Sequence, residues 1–198
     1  MFPEAVVHKK RDMATKKRTL RGFSLGEVML SAFVLSVGLL AVTALIASSM
    51  RHSMENRDAI IASELAQEGV ELIRNIRDND FAAGNDGFST GFSTSRRHCH
   101  MSYNSSSMTC TATQGGSSRY YLQLSGGHYS HASSTQRFSR YIYIDYDNGQ
   151  KTAEVKSFVY WNWTSSSMPS YVPRTGNTAN CTLVNKCVYT EAFLTSWR

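Results

Sequence analysis

The stretch Arg21-Gly22-Phe23-Ser24-Leu25-Gly26-Glu27 joins two segments of opposite character, and its reading decides the fold. Before Gly22 lie seven basic residues (Lys9, Lys10, Arg11, Lys16, Lys17, Arg18, Arg21) against Glu4 and Asp12, a formal charge of +5. After Glu27, Val28 to Met50 form 23 residues without a charge. At about 1.5 Å per helical residue, a run of that length crosses a hydrocarbon core of roughly 30 Å. Only Arg51 and Arg57 follow it closely. The charge asymmetry therefore places the N-terminus in the cytoplasm and everything after the run outside.

Locating the charge changes what it means. The whole chain of 198 residues carries +6, which by itself suggests an acidic partner. From Phe23 onward, however, 14 basic residues face 13 acidic ones, so the molecule without its basic block is close to neutral. The block concerns membrane topology rather than a ligand. The length fits one modest domain plus an accessory element and disfavours a multidomain enzyme.

A secretory signal peptide has its cleavage site after the apolar region, so the mature protein keeps none of it. Here a Gly-Phe junction precedes the apolar run, with a lone carboxylate at Glu27. This arrangement resembles the prepilin processing signal of type IV pilins and of type II secretion pseudopilins: a basic leader, a Gly/Phe cleavage point, a hydroxyl residue, then Glu. Glu27-Val28-Met29-Leu30 and Val34-Leu35-Ser36-Val37-Gly38-Leu39-Leu40 resemble the minor-pilin form of that helix, and Leu65-Ala66-Gln67-Glu68-Gly69-Val70-Glu71-Leu72-Ile73-Arg74 its outer half. The resemblance covers about residues 16 to 78 and is most specific at Gly22, Phe23 and Glu27. It implies cleavage after Gly22 by a prepilin peptidase, methylation of the new amine on Phe23, and pairing of Glu27 with the N-terminal amine of an adjacent subunit. Gly26 departs from the pattern, which usually has a large aliphatic residue there. Met13 would give a leader of ordinary length, Met13 to Gly22, so under this reading residues 1 to 12 are either an extension or lie ahead of the true start.

Glu27 also raises a physical question of its own. A carboxylate in a bilayer costs about 2.5 to 3.5 kcal/mol, so it needs a partner or a task. An amine on Phe23 of the same helix is poorly placed, whereas a neighbouring subunit can supply one. The plainer alternative is a carboxylate at the rim of an ordinary anchor, snorkelling to water. Within the span, Ala32 and Ser36, then Ala44 and Ser48, repeat at a spacing that lets membrane helices approach closely. Gly38 is a point where the helix can loosen.

Helical periodicity continues past the span through Ile61, Leu65, Leu72 and Ile76, and predicts a helix to about Arg77. Glu64 and Glu68 read as a solvated face, and Glu71 with Arg74 as a weak surface pair. Asp78-Asn79-Asp80, Gly84, Gly87 and Gly91 then end the helix and open an irregular region over residues 82 to 97. Ser/Thr clusters at Ser105 to Ser107, Ser133 to Thr135 and Ser165 to Ser167 mark further loops.

Two strands are predicted at Phe138 to Tyr146 and Lys151 to Trp161, around a two-residue Asn148-Gly149 turn. That register pairs Ile144 with Ala153, Ile142 with Val155 and Phe138 with Val159 on one face. Tyr143 with Glu154 and Tyr141 with Lys156 fall on the other. Shorter strands are expected at Tyr120 to Leu124 and Cys187 to Leu194. The fold class is therefore α+β: a long N-terminal helix packed on a small antiparallel sheet of about four strands, a pilin-like plan. The segments are a leader, 1–22; a membrane or filament-core half-helix, 23–50; an outer half-helix, 51–78; and a disulfide-braced head, 79–198.

Cys99, Cys110, Cys181 and Cys187 all follow the span, as disulfides in an oxidising compartment would. Of three connectivities, Cys99 with Cys110 and Cys181 with Cys187 close the shortest loops. His98-Cys99-His100 with Cys110, and His128 with His131, match no standard zinc spacing, so no metal or other cofactor is expected. No nucleophile-elbow or phosphate-loop motif occurs, and the chain does not read as an enzyme. Asn104, Asn162 and Asn180 begin glycosylation triplets, common by chance in a chain so rich in Ser and Thr. From Asn79 on, ten basic residues outnumber six acidic ones, and Arg96, Arg97, Arg119, Arg137 and Arg140 interleave with Tyr120, Tyr121, Tyr141 and Tyr143. That mixture can bind nucleic acid strands, although a mildly charged sheet surface is the simpler account.

The sequence thus points to a pilin-like filament subunit whose partners are a prepilin peptidase, other pilins and the membrane. It would be a single-pass membrane protein with an extracytoplasmic head, then part of an extracellular filament. The alternatives are a type II secretion pseudopilin and, from another class, a membrane-anchored surface or DNA-binding module.

Overall fold

The computed structural model describes residues 22, 24–95, 97–116, 119–162 and 176–196. The basic leader before Gly22, Phe23, Arg96 and the loop Ser165 to Ser167 lie outside them. One helix, α1 (Leu25–Ala82), is followed by seven strands: β1 (His98–His100), β2 (Thr109–Thr111), β3 (Tyr121–Ser125), β4 (His128–His131), β5 (Phe138–Asp147), β6 (Thr152–Trp161) and β7 (Cys187–Thr195). The chain divides into two compact units at Ser49/Met50. In the first, every described residue is exposed. The second holds the rest of α1 and the sheet.

α1 outlasts the expected end at Arg77 by about a turn. Gly84, at φ +86°, supplies the left-handed residue that a helix stop needs. Its N–H donates to Phe81 O at 2.9 Å and that of Asn85 to Asp80 O at 3.1 Å, so two end carbonyls are satisfied. Asp78-Asn79-Asp80 therefore lies inside the helix. The Asp80 carboxylate then organises the next loop, accepting from Asn85 Nδ2, Ser89 N and Thr90 Oγ1 at 2.9 to 3.0 Å.

The buried stripe of α1 is Ala62, Leu65, Ala66, Gly69, Val70, Ile73 and Ile76. Ile61 and Leu72, expected in the stripe, are only partly buried. Small residues turn toward the sheet because the two layers approach closely. A Cβ built on Gly69 would stand 2.3 Å from Ser157 Oγ and 3.0 Å from Arg140 Cδ.

The α+β arrangement is present, with all seven strands in one antiparallel sheet. The four expected strands are β3, β5, β6 and β7; the others are the short β1, β2 and β4. β5 pairs with β6 along its whole length. Its other edge is shared, β3 meeting Phe138 and Ser139 and β1 meeting Ile142 and Tyr143. β7 continues the sheet beyond β6.

The β5–β6 register differs from the expected one by two residues. Ile144 faces Val155, Ile142 faces Ser157 and Phe138 faces Trp161. Asp147 Oδ1 accepts from Gly149 N at 2.7 Å and Gln150 N at 3.1 Å, and Lys151 takes the left-handed position at φ +51°. The loop is thus four residues, 148–151, rather than the two-residue Asn-Gly turn. A two-residue shift preserves side-chain parity, so the apolar set still faces α1. Val70, Ile73 and Ile76 pack there with Ile142, Ile144 and Val155. Ala62, Leu65 and Ala66 pack with Phe138, Val159 and Trp161. On the opposite face Tyr120, Tyr141, Phe158 and Tyr160 form a second cluster with Cys181 and Cys187.

Both disulfides are local. Cys99–Cys110 bridges the directly opposed central residues of β1 and β2, with Cα atoms 4.1 Å apart. Cys181–Cys187 closes the loop that leads into β7.

Candidate functional site

At the N-terminal end, Ser24 caps α1. Glu27 N donates to Ser24 Oγ at 3.2 Å and to Ser24 O at 3.0 Å, satisfying a donor that the first helical turn would leave open. Ser24-Leu25-Gly26-Glu27 has the spacing of a capping box. That signal was readable in the sequence, and the group of Glu27 that the cap engages is its backbone N–H rather than its carboxylate. Gly26 does not break the helix, and a Cβ there would meet nothing closer than Ser24 Oγ at 3.8 Å. Helical hydrogen bonding likewise continues through Gly38. Gly22 is exposed just ahead of the cap.

Beyond the cap, α1 presents apolar side chains on every side. Val28, Met29, Phe33, Leu35, Leu40 and Leu45 are all more than half exposed. Water is a poor solvent for such a surface, and lipid or neighbouring apolar helices are good ones. Three of the five hydroxyls inside the run are satisfied by the helix itself. Ser31 donates to Glu27 O, Ser36 to Ala32 O and Thr43 to Leu40 O at 2.7 to 2.9 Å, which removes most of their cost in an apolar medium. By length and composition, α1 can cross a membrane once.

In the head, four of the residues with metal-like spacing have other partners. Cys99 and Cys110 are joined to each other. His98 Nδ1 lies 2.6 Å from the Tyr141 hydroxyl, and His131 Nε2 donates to Met101 O at 3.1 Å. Burial, with Arg140 and His100 nearby, lowers the His131 pKa to about 3. Burial also lowers those of His98 and His100.

The tyrosines of the arginine–tyrosine mixture do not lie on the surface, although Arg119 does. Tyr120, Tyr121, Tyr141 and Tyr143 are buried, so their faces are closed to a stacking base. Arg97 pairs with Asp145 at 3.1 Å, and Arg137 with the buried Asp58 of α1 at 2.6 Å. The surface groove beside the β5–β6 turn is lined by Arg97, Asp145, Asp147, Glu154 and Phe193. Its charges are largely paired internally, since Glu154 meets Lys156 at 2.9 Å and Asp147 caps the turn.

Arg140 is the residue that sequence reasoning misplaced most. It is wholly buried, at 0 % exposure, between α1 and the sheet. Its guanidinium donates to Leu65 O at 3.2 Å and Met101 O at 2.8 Å. Nη1 lies 3.0 Å from Glu68 Oε1, an ion pair whose angle falls short of a hydrogen bond. Burial pushes the guanidinium below its ordinary value and Glu68 offsets part of the shift. Glu68 is therefore not part of a purely solvated face.

No family model, curated protein or solved structure matches this chain.

Proposed function

We propose that this protein is a structural subunit, a minor pilin or pilin-like protein, of a type IV pilus-type filament. The observation that carries the reading is a capped helix, apolar on all sides over Val28 to Met50, entered through Gly22-Phe23 with Glu27 as its one carboxylate. In this account a prepilin peptidase removes the leader after Gly22 and the new amine on Phe23 is methylated. The helix first holds the subunit in the membrane with the head outside. It then packs among the helices of other subunits, where Glu27 meets the amine of a neighbour. Lipid and a helix bundle solvate the same apolar surface, so transfer between them costs little apolar exposure.

The charge of Glu27 can be separated from its size. Gln keeps the size and polarity of Glu but carries no charge, whereas Ala loses both. Glu27→Gln and Glu27→Ala are both expected to insert in the membrane. Both should enter filaments roughly tenfold less than the parent, as expected for a lost ion pair worth about 1.4 kcal/mol or more. Immunoblots of sheared filaments against membrane fractions measure this. Parental incorporation of Glu27→Gln with a defective Glu27→Ala would assign the role of Glu27 to side-chain size and polarity and remove the pairing role.

A further inference from the structure

β5 is met along one edge by two strands that do not pair with each other, β1 at Ile142 and Tyr143 and β3 at Phe138 and Ser139. A seam therefore runs between the β1–β2 pair and the β3–β4 hairpin, and the end of β4 closes it. His131 N donates to Ser102 Oγ and His131 Nε2 to Met101 O, both at 3.1 Å. From the other side, Arg140 Nη2 donates to the same Met101 carbonyl at 2.8 Å. The His131 ring stands edge-on to that of His100 with centroids 5.1 Å apart, and His100 in turn stands edge-on to Tyr120 at 6.0 Å. β3 shares only those two residues of β5, whereas β5, β6 and β7 are paired along their lengths. The seam is thus the weakly laced part of the sheet.

The closed seam has no place for a second proton on His131. With Nε2–H given to Met101 O, Nδ1 is the bare nitrogen; it is shut off from water, and no hydrogen-bond partner reaches it among the described residues. The charged and titratable groups that face the ring are Arg140 of β5 and His100 of β1. His100 lies in turn beside the exposed Arg119, two residues ahead of β3, and the Glu68 carboxylate of α1 is met by Arg140. A proton on Nδ1 would be an unpaired buried donor among positive neighbours. Closure therefore holds His131 neutral, its pKa lowered to about 3 by burial first and then by Arg140 and His100. In an open seam the ring meets water and returns to an ordinary value of about 6.5. The closed value lies below the open one, so closure is fully stable above about pH 6.5 and weakens as the pH falls toward about 3.

We propose that this seam is an acid-operated catch: protonation of His131 frees the end of β4 from Met101 and Ser102 while β5, β6 and β7 stay paired. The catch lies within the head alone and stands or falls apart from the filament reading. It is tested by hydrogen exchange of the full chain in detergent micelles between about pH 7 and about pH 4.5, with each amide corrected for its intrinsic rate. Protection of the His131 amide is expected to fall about tenfold per pH unit below about pH 6, the slope of one proton taken up on opening. The amides of Val155 and Phe158, in the middle of β6, are expected to keep their protection. His131→Gln, whose side-chain amide can still donate to Met101 O but does not titrate, is expected to lose the slope. Protection of the His131 amide that is flat with pH, or a fall shared equally by β6, would overturn the catch. The same slope in His131→Gln would overturn it too. Should that variant fail to fold, imidazole nitrogen shifts of the parent decide. A His131 that stays neutral at about pH 5 in the closed seam is expected, and one that charges near its ordinary value with its amide still protected would overturn the proposal.

Discussion

Arg140 joins α1, the sheet and the segment after β1 through one guanidinium, by way of Leu65 O, Met101 O and Glu68. A charge so buried is tolerable only because these partners replace its water. Leu65 O keeps its place in the helix ladder and Met101 O keeps His131 Nε2, so Arg140→Leu loses two charge-assisted hydrogen bonds and should lower the unfolding free energy by about 3 kcal/mol. Glu68→Gln should cost only about 1 kcal/mol, because the Glu68 side chain is 35 % exposed and water can replace part of the pair. Urea unfolding in detergent micelles, followed by near-ultraviolet circular dichroism, compares the two. Equal losses would mean that the ion pair, rather than the carbonyl contacts, holds Arg140. Alternation in β5 already places Arg140 in phase with Phe138, Ile142 and Ile144, all on the face toward α1. That phase was legible in the sequence; its partners lie 75 and 39 residues away and were not.

Among elements, the contact of α1 with β5 and β6 depends on Gly69. Replacing a helical Gly by Ala ordinarily gains about 1 kcal/mol. Here the added Cβ would stand 2.3 Å from Ser157 Oγ and 3.1 Å from Ser157 Cβ, and overpacking costs about 1 to 3 kcal/mol. The packing term wins, so Gly69→Ala should lower the melting temperature in spite of its better propensity. Ser157→Ala in the same chain should recover part of the loss. A scanning calorimetry trace in which Gly69→Ala melts above the parent would show that the layers can separate at low cost.

The turns mark how far local sequence reaches. Asn148-Gly149 advertises a two-residue turn, yet Asp147 captures two loop N–H groups and a four-residue loop results. Gly126-Gly127, at φ +61° and +84°, makes the tight two-residue connection between β3 and β4. That Gly-Gly signal was present in the sequence and passed over. β1 and β2 are three residues each and are set by pairing and by the Cys99–Cys110 bridge, so periodicity could not reveal them. The long helix, the α+β class and the apolar parity of β5 and β6 were legible because each repeats over many residues.

At the scale of the molecule, α1 has no core of its own over Val28 to Met50, whereas the described residues of the head bury three apolar clusters and leave Leu124 and Phe193 more than half exposed. The larger apolar surface in want of a cover is that of the helix. Three of the hydroxyls in that run are satisfied internally and the helix N-terminus is capped, leaving an apolar surface that suits membrane and bundle alike. From Phe23 onward the sequence is near neutrality, with 14 basic and 13 acidic residues, and the proposed function requires that the basic block before it be removed at Gly22-Phe23. Intact-mass and N-terminal peptide mass spectrometry of the protein from its native membrane or filament tests it most directly. The account predicts a mature chain beginning with methylated Phe23; a chain that still carries the basic leader would contradict it.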